Sequence, residues 1–291
     1  MNKSKSLHKL HLLTIIYYHY TKTIEKIKHH RHPGIIFWRE RVMQMKQRLF
    51  FAAGRSNALN IAAEELEKRG VSMAEAPSED VTHLLLPVPC KMTTEELNAV
   101  LDSLPKDVTV LGGFLDRPEL AGYRCFDLLA DEQYQAKNAM ITAYCAINIA
   151  AQRMRVTWDQ CPVLILGWGR IGKCLGRLLK VLGADVSIAA RKETDRAMIA
   201  ALDYDAEDIN NLRYILGRYK VIFNTVPSPI LSEEQVSHCR ANCLKIELAS
   251  RPGIVGDDVI DARGLPGKFA PESSGALVAR TVLRLCARKE G

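Results

Sequence analysis

The chain has 291 residues, 47% of them hydrophobic, which is enough for two domains of ordinary size with real cores. Its net charge of +7 resides in residues 1–45, which hold nine Lys or Arg and two acids; the remainder is electrically balanced, which excludes a nucleic-acid-binding body. Eight cysteines are scattered without a C-x-x-C and no secretion signal stands out, so reduced thiols of a cytoplasmic protein are expected, not a disulfide scaffold.

Residues 1–45 also hold six of the eight histidines. They read as a basic, disordered extension, with Met43 or Met45 as the working start. The alternatives are a basic arm for an acidic partner and, last, a targeting peptide. Leu10 to Tyr20 is too short, and too interrupted by His11 and His19, to span a membrane. Neither these histidines nor His238-Cys239-x-x-x-Cys243 has a regular ligand pattern with a matching pair nearby, so no metal site is expected.

Residues 46–136 read as a first α/β domain, facing substrate and partner. Strands are expected at Arg48–Ala53, Val71–Ala74, Val81–Leu86 and Val108–Leu111, with helices at Asn57–Arg69 and Thr94–Ser103. Thr93 or Thr94 caps the second helix. A long helix rich in small residues follows over 137–155 and links the domains. Residues 156–270 form the nucleotide domain, and 271–291 a final helix that crosses back to the first domain. The fold class is α/β: a Rossmann-type doubly wound parallel sheet with a smaller N-terminal α/β domain.

The nucleotide domain opens on Val163-Leu-Ile-Leu-Gly-Trp-Gly-Arg-Ile-Gly172, an apolar strand running into G-x-G-x-x-G. A helical pattern and a second apolar strand, Asp185–Ala190, complete a strand–helix–strand unit. Gly167 permits the sharp turn, Gly169 lets backbone approach a pyrophosphate, and Gly172 lets helix pack on strand. Unpaired N–H groups from Trp168, Arg170 and Ile171 onward face the phosphates. An NAD site carries Asp or Glu at the end of its second strand. Here that end is followed by Arg191 and Lys192, with Thr194 beyond, which suits a 2′-phosphate; NADP(H) is expected over NAD(H).

In an open parallel sheet, ligands collect beyond the carboxyl ends of the strands. Three such ends stand out. Asn224-Thr225-Val226-Pro227 forms a rigid turn able to face the nicotinamide ribose. Ala249-Ser250-Arg251-Pro252-Gly253 places a guanidinium where an anionic substrate meets the cofactor. Gly264-Leu265-Pro266-Gly267 feeds a helix whose start, Ser273-Ser274-Gly275, offers N–H donors to a carboxylate or phosphate. Asn224, Ser250 and Arg251 are the candidate catalytic residues; Arg251, Ser273, Ser274 and Gly275 are the substrate contacts. No general base is identified, Tyr144 and Glu247 being the nearest candidates. Hydride transfer needs positioning more than an acid–base set.

From Arg48 to Arg288 the chain resembles the family of dipicolinate synthase A subunits of spore-forming bacteria. The resemblance is carried by Thr82-His-Leu-Leu-Leu-Pro-Val88, the glycine motif, Leu248-Ala-Ser-Arg-Pro-Gly253 and Gly264-Leu-Pro-Gly-Lys-Phe-Ala-Pro271 through Gly275. It implies NAD(P)-dependent oxidation of a dihydrodipicolinate-type precursor to pyridine-2,6-dicarboxylate during sporulation, in the mother-cell cytoplasm. As partner it implies a flavoprotein-like B subunit of the same synthase. It further implies a dicarboxylate substrate and a role for Thr142 beside it. Self-association stays open, and neither membrane nor nucleic acid is a partner. The family shows Thr-Ala-Glu-Gly on the linking helix where this chain has Thr142-Ala143-Tyr144-Cys145, and a second Gly where it has Ile254. That lost Glu favours an alternative, a catalytically silent cofactor-binding subunit that scaffolds or regulates its partner. A related two-domain dehydrogenase acting on another small acid is the third reading.

Overall fold

The computed structural model describes residues 48–287; the extension expected over 1–45 lies outside them. β1 (Leu49–Ala52) leads into α1 (Asn57–Glu67), whose N-cap Ser56 accepts from the Leu59 N–H. β2 (Ser72–Met73) and β3 (His83–Leu85) precede α2 (Thr94–Leu101). Thr93 caps α2 through a reciprocal pair: its hydroxyl accepts from the Glu96 N–H while the Glu96 carboxylate accepts from the Thr93 N–H. β4 (Thr109–Gly112) and β5 (Arg124–Asp127) complete a five-stranded parallel sheet in the order β2-β1-β3-β4-β5.

α3 (Glu132–Ala151) is the linking helix. It starts ahead of the expected residue 137 because Asp131 caps it, accepting from the Tyr134 N–H, and it stops before 155. β6 (Pro162–Leu166), α4 (Arg170–Val181), β7 (Asp185–Ala190), α5 (Glu193–Ala201) and β8 (Asp205–Asp208) form one half of the second sheet. β9 (Val221–Asn224), α6 (Glu233–Val236), β10 (Leu244–Glu247) and β11 (Val259–Asp261) form the other. The order is β11-β10-β9-β6-β7-β8, all parallel. Numbered along the chain from β6, this is the 3-2-1-4-5-6 winding of dinucleotide-binding sheets, reversing between β6 and β9.

Central strands are buried on both faces, as parallel sheets require, and so read as unbroken apolar runs. Leu84 to Leu86 and Val163 to Leu166 have no exposed surface. The expected strand over 71–74 shrinks to Ser72–Met73, and no sequence pattern predicts β5, β8 or β11. These four are the outer strands of the two sheets, where one side lacks a neighbour and the apolar demand falls.

After the short α7 (Leu265–Phe269), α8 (Pro271–Cys286) lies against α1. A β-carbon built on Gly275 would stand 2.7 Å from the Ala58 carbonyl oxygen and 2.7 Å from Ile61 Cγ2. The missing side chain therefore permits helix-to-helix approach. Arg284 of α8 donates from Nη2 to Asp131 Oδ1 at 2.5 Å, tying the helix to the start of α3.

Candidate active site

The glycine turn sits at the carboxyl end of β6, beside the reversal in strand order. Gly167 has φ +104°, a conformation that side-chain-bearing residues rarely adopt. A β-carbon there would also stand 2.6 Å from Thr225 Oγ1 and 2.8 Å from Val226 Cγ2. Thr225 fastens the turn to the end of β9: its hydroxyl and its N–H both donate to the Leu166 carbonyl, at 2.8 and 3.0 Å. A β-carbon on Gly172 would stand 2.2 Å from the Gly167 carbonyl oxygen, so helix α4 can only begin this close to the turn with glycine.

Gly169 differs from both. No atom lies within 4 Å of where its β-carbon would be, and its φ of −80° suits any residue. It is the N-cap of α4 and caps nothing with a side chain, leaving the first N–H groups of a 12-residue helix to an incoming anion. The residues present therefore fit a pyrophosphate: the cradle that a β-carbon at 169 would fill is open.

The other expected cofactor residues separate into two groups. Arg191, Lys192 and Thr194 are exposed just past β7, and neither cation forms an ion pair among the described residues. Arg196, which no motif marks, donates to the Ala190 and Arg191 carbonyls at 3.1 and 2.8 Å and shapes this corner. The Trp168 ring, by contrast, turns away to Tyr204, with centroids 6.1 Å apart and the Lys173 ammonium 5.4 Å from its own centroid. Ile171 packs on the core. Arg170 is exposed and stands 3.8 Å from Glu132. Val226 and Pro227 continue the β9 turn.

Asn224 is wholly buried and its amide is spent inside the protein. Nδ2 donates to both Glu247 oxygens, at 2.9 and 3.0 Å, and to the Val226 carbonyl; Oδ1 accepts from the Val226 N–H. This corrects its assignment as a catalytic residue: both polar atoms are bonded within the protein and have no exposed surface to meet a reacting group. Glu247, the candidate base, is likewise engaged. It is 3% exposed, and accepts from the N–H groups of Ala249, Gly253 and Ile254 as well as from Asn224. Both ends of the loop after β10 are thus fastened to one carboxylate. Gly253 completes the clamp, since a β-carbon there would stand 2.5 Å from Asn224 Nδ2 and 2.6 Å from the Ser228 carbonyl oxygen.

The clamp leaves Ser250, Arg251 and Pro252 outside. All three are exposed, and Arg251 forms no ion pair among the described residues. A rigid loop thus holds an available guanidinium at the same sheet edge as the glycine turn. The two are linked through bonded neighbours: Gly167 against Thr225 and Val226, Asn224 against Glu247, Glu247 against the loop.

The remaining substrate assignments are revised. Gly275 is filled by α1, as described above. Thr142 is 7% exposed and donates back to the Asn138 carbonyl of its own helix at 2.9 Å, so its hydroxyl is not presented to a ligand. The helix begins at Pro271, ahead of these residues; Ser274 is buried at 3% and its N–H donates to the Ala270 carbonyl at 2.9 Å, so of Ser273, Ser274 and Gly275 only Ser273 is exposed. On α3, Tyr144 is 59% exposed and burial pushes the Cys145 thiol up, so neither replaces a carboxylate.

The first sheet contributes a feature that the sequence did not reveal. Its order reverses between β1 and β3, and ligands favour such a point. A cavity of about 430 Å³ opens there, lined by Gly54, Arg55, Pro87, Lys91, Met92 and Glu96. Glu96 is committed to its capping pair, whereas Arg55 and Lys91 are exposed and form no ion pair among the described residues. No motif marks two cations brought together by chain crossing.

No protein-family model matches the chain. It is 30% identical over 158 residues to the A subunit of dipicolinate synthase from Bacillus subtilis (strain 168), covering 52% of this chain and 53% of that one. The chain therefore matches about half the length of that curated relative. Among solved structures, the A subunit of dipicolinate synthase from Bacillus halodurans superposes with a TM-score of 0.71 at 21% identity, covering 84% of this chain and 99% of that chain. A transhydrogenase from Sinorhizobium meliloti has a TM-score of 0.66 at 12% identity, covering 82% and 93%. These identities speak to the fold, which is that of two parallel-sheet α/β domains of Rossmann type. In aligned sequence and in fold, the chain resembles the A subunit of dipicolinate synthase.

Proposed function

We propose that the chain is an NAD(P)-dependent oxidoreductase that oxidises a dihydrodipicolinate-type precursor to dipicolinate. It would work with a flavoprotein-like B subunit, in the cytoplasm of a sporulating mother cell. The observation that carries this reading is the open cradle at Gly169 on the same sheet edge as the clamped, available Arg251. When bound, the nicotinamide supplies a hydride acceptor; everything else falls to positioning.

Arg251 takes one ring carboxylate through two N–H donors, which fixes the ring plane as well as its place. Ser250 and Ser273 supply further donors. Arg55 and Lys91 attract the second carboxylate from the first sheet. The precursor gives up a hydride and a proton, and the product gains an aromatic ring. That gain drives the reaction, and the proton passes to water without an engineered base. Arg191 and Lys192, with no carboxylate between them and the strand end, favour NADP(H) over NAD(H).

The test is single-turnover reduction of NADP⁺ by freshly prepared precursor, with and without the B subunit. Dipicolinate formed in step with NADPH is expected, with NADP⁺ preferred to NAD⁺. Tight NADPH binding with no turnover in either arm would instead establish the silent form, the reading favoured by Tyr144 and Cys145.

A further inference from the structure

Beneath the second sheet, at the amino ends of its strands, lies a separate cavity of about 750 Å³. Val221 and Leu244, the first residues of β9 and β10, are among the residues that border it. The glycine turn and the Glu247 clamp stand at the other ends of these strands, roughly 10 Å away along the chain direction. The volume falls in the range of small-molecule sites.

Its polar lining is almost all of one sign. Arg153 and Arg155 come from the exit of α3, Lys220 from the residue before β9, and Arg240 from the turn before β10. Asp258 is the single acid in the lining, and it is taken: the buried Lys245 ammonium donates to it at 2.6 Å. Arg153 has a local role, reaching the Ile149 carbonyl at 3.4 Å where α3 ends. Arg155, Lys220 and Arg240 form no ion pair among the described residues. Helix-end complementarity accounts for one or two cations near α3. It does not account for Lys220 and Arg240, which arrive from two other segments of the chain. Like charges gathered in a concavity repel each other unless an anion joins them.

We propose that this cavity is a second ligand site, for a compact polyanion bearing two or more phosphate or carboxylate groups, distinct from the candidate active site. The shape of the guanidinium groups suits either oxyanion, and the apolar side chains of Met154, Val156 and Leu244 in the lining suit a small organic core.

The test is calorimetric titration of the full chain with inorganic tripolyphosphate and, separately, citrate. The variants are R155E/R240E in the cavity, K220Q as a milder cavity change, and K26E/K28E in the basic extension. One saturable site is expected for at least one probe, with the tighter probe identifying phosphate or carboxylate as the natural group. R155E/R240E should weaken it at least about ten-fold and K220Q by less, since each ionic hydrogen bond contributes a factor of that order. K26E/K28E should leave it unchanged, and NADPH affinity should hold in the cavity variants. No saturable binding of either probe overturns the proposal. So does equal weakening by the cavity and extension variants, which would mark diffuse attraction to the basic extension. If R155E/R240E does not fold, unaltered binding in K220Q together with R155A overturns it.

Discussion

The two sheets each reverse their strand order once, and the two reversal points are built from different chemistry. Between β6 and β9 the wall is a glycine turn: Gly172 pressed against the Gly167 carbonyl, Gly167 against the Thr225 and Val226 side chains, and helix N–H groups left open. Between β1 and β3 the wall is side chain: Arg55 and Lys91 around a modest cavity. A backbone-built wall tolerates no added atom where it is closed, and shows itself in sequence as glycine spacing. A wall built of flexible cations degrades in steps and leaves no motif. The division suits a ligand pair in which one partner is held by its phosphates and the other by carboxylates.

Changes at the backbone-built wall should be the most severe. G172A drives a β-carbon into a carbonyl oxygen at 2.2 Å, with backbone on both sides unable to yield. It should cost about 3 kcal/mol in thermal or urea denaturation and abolish NADPH binding. E247A comes next, orphaning three buried N–H groups and the Asn224 amide. A loss of about 2–3 kcal/mol is expected, with E247Q intermediate, because its amide keeps one acceptor but turns donors toward donors.

The side-chain-built elements should respond by degree. R251A should raise the KM for the dicarboxylate about 100-fold, with R251K recovering only part because a lysine cannot make the paired contact. NADPH affinity should not change. R55A and K91A should each raise KM about ten-fold, with their effects adding in the double variant. A fall in kcat alone would instead place these cations away from substrate binding.

The smallest effect is a pH dependence. Arg263 beside Asp261 holds its carboxyl down at about 2, below the ordinary 3.8. The folded value is the lower one, so this pair's stabilisation is complete above about pH 4 and is lost as the pH falls toward 2. Both groups are substantially exposed, so the contribution is under about 1 kcal/mol. D261N should flatten the acid limb of a stability curve slightly and leave neutral pH untouched.

Legibility in the sequence followed the same division. The apolar runs of β3 and β6 announced buried parallel strands, and the glycines announced the turn. The outer strands did not: Asp205-Ala-Glu-Asp208 carries no apolar run because β7 covers only one of its sides. Asn224 and Glu247 looked chemically available because a sequence shows a carboxylate and an amide, not that they are bonded to each other. Gly275 sat in a segment that resembles a ligand-binding one, yet its need is the approach of α1. Only the pairing of β9 with β10 brings Asn224 beside Glu247. Arg55 and Lys91 are separated by a helix and two strands, so only topology joins them.

Gly169 offers the most direct test, because its position separates folding from binding. A β-carbon there meets nothing within 4 Å of protein, and its backbone is unstrained, so G169A should leave the unfolding temperature nearly unchanged. It would fill the space assigned to the pyrophosphate. Titration of NADPH fluorescence should show affinity falling at least about 30-fold in G169A relative to the unaltered chain. Undiminished NADPH binding in a fully folded G169A would contradict the account.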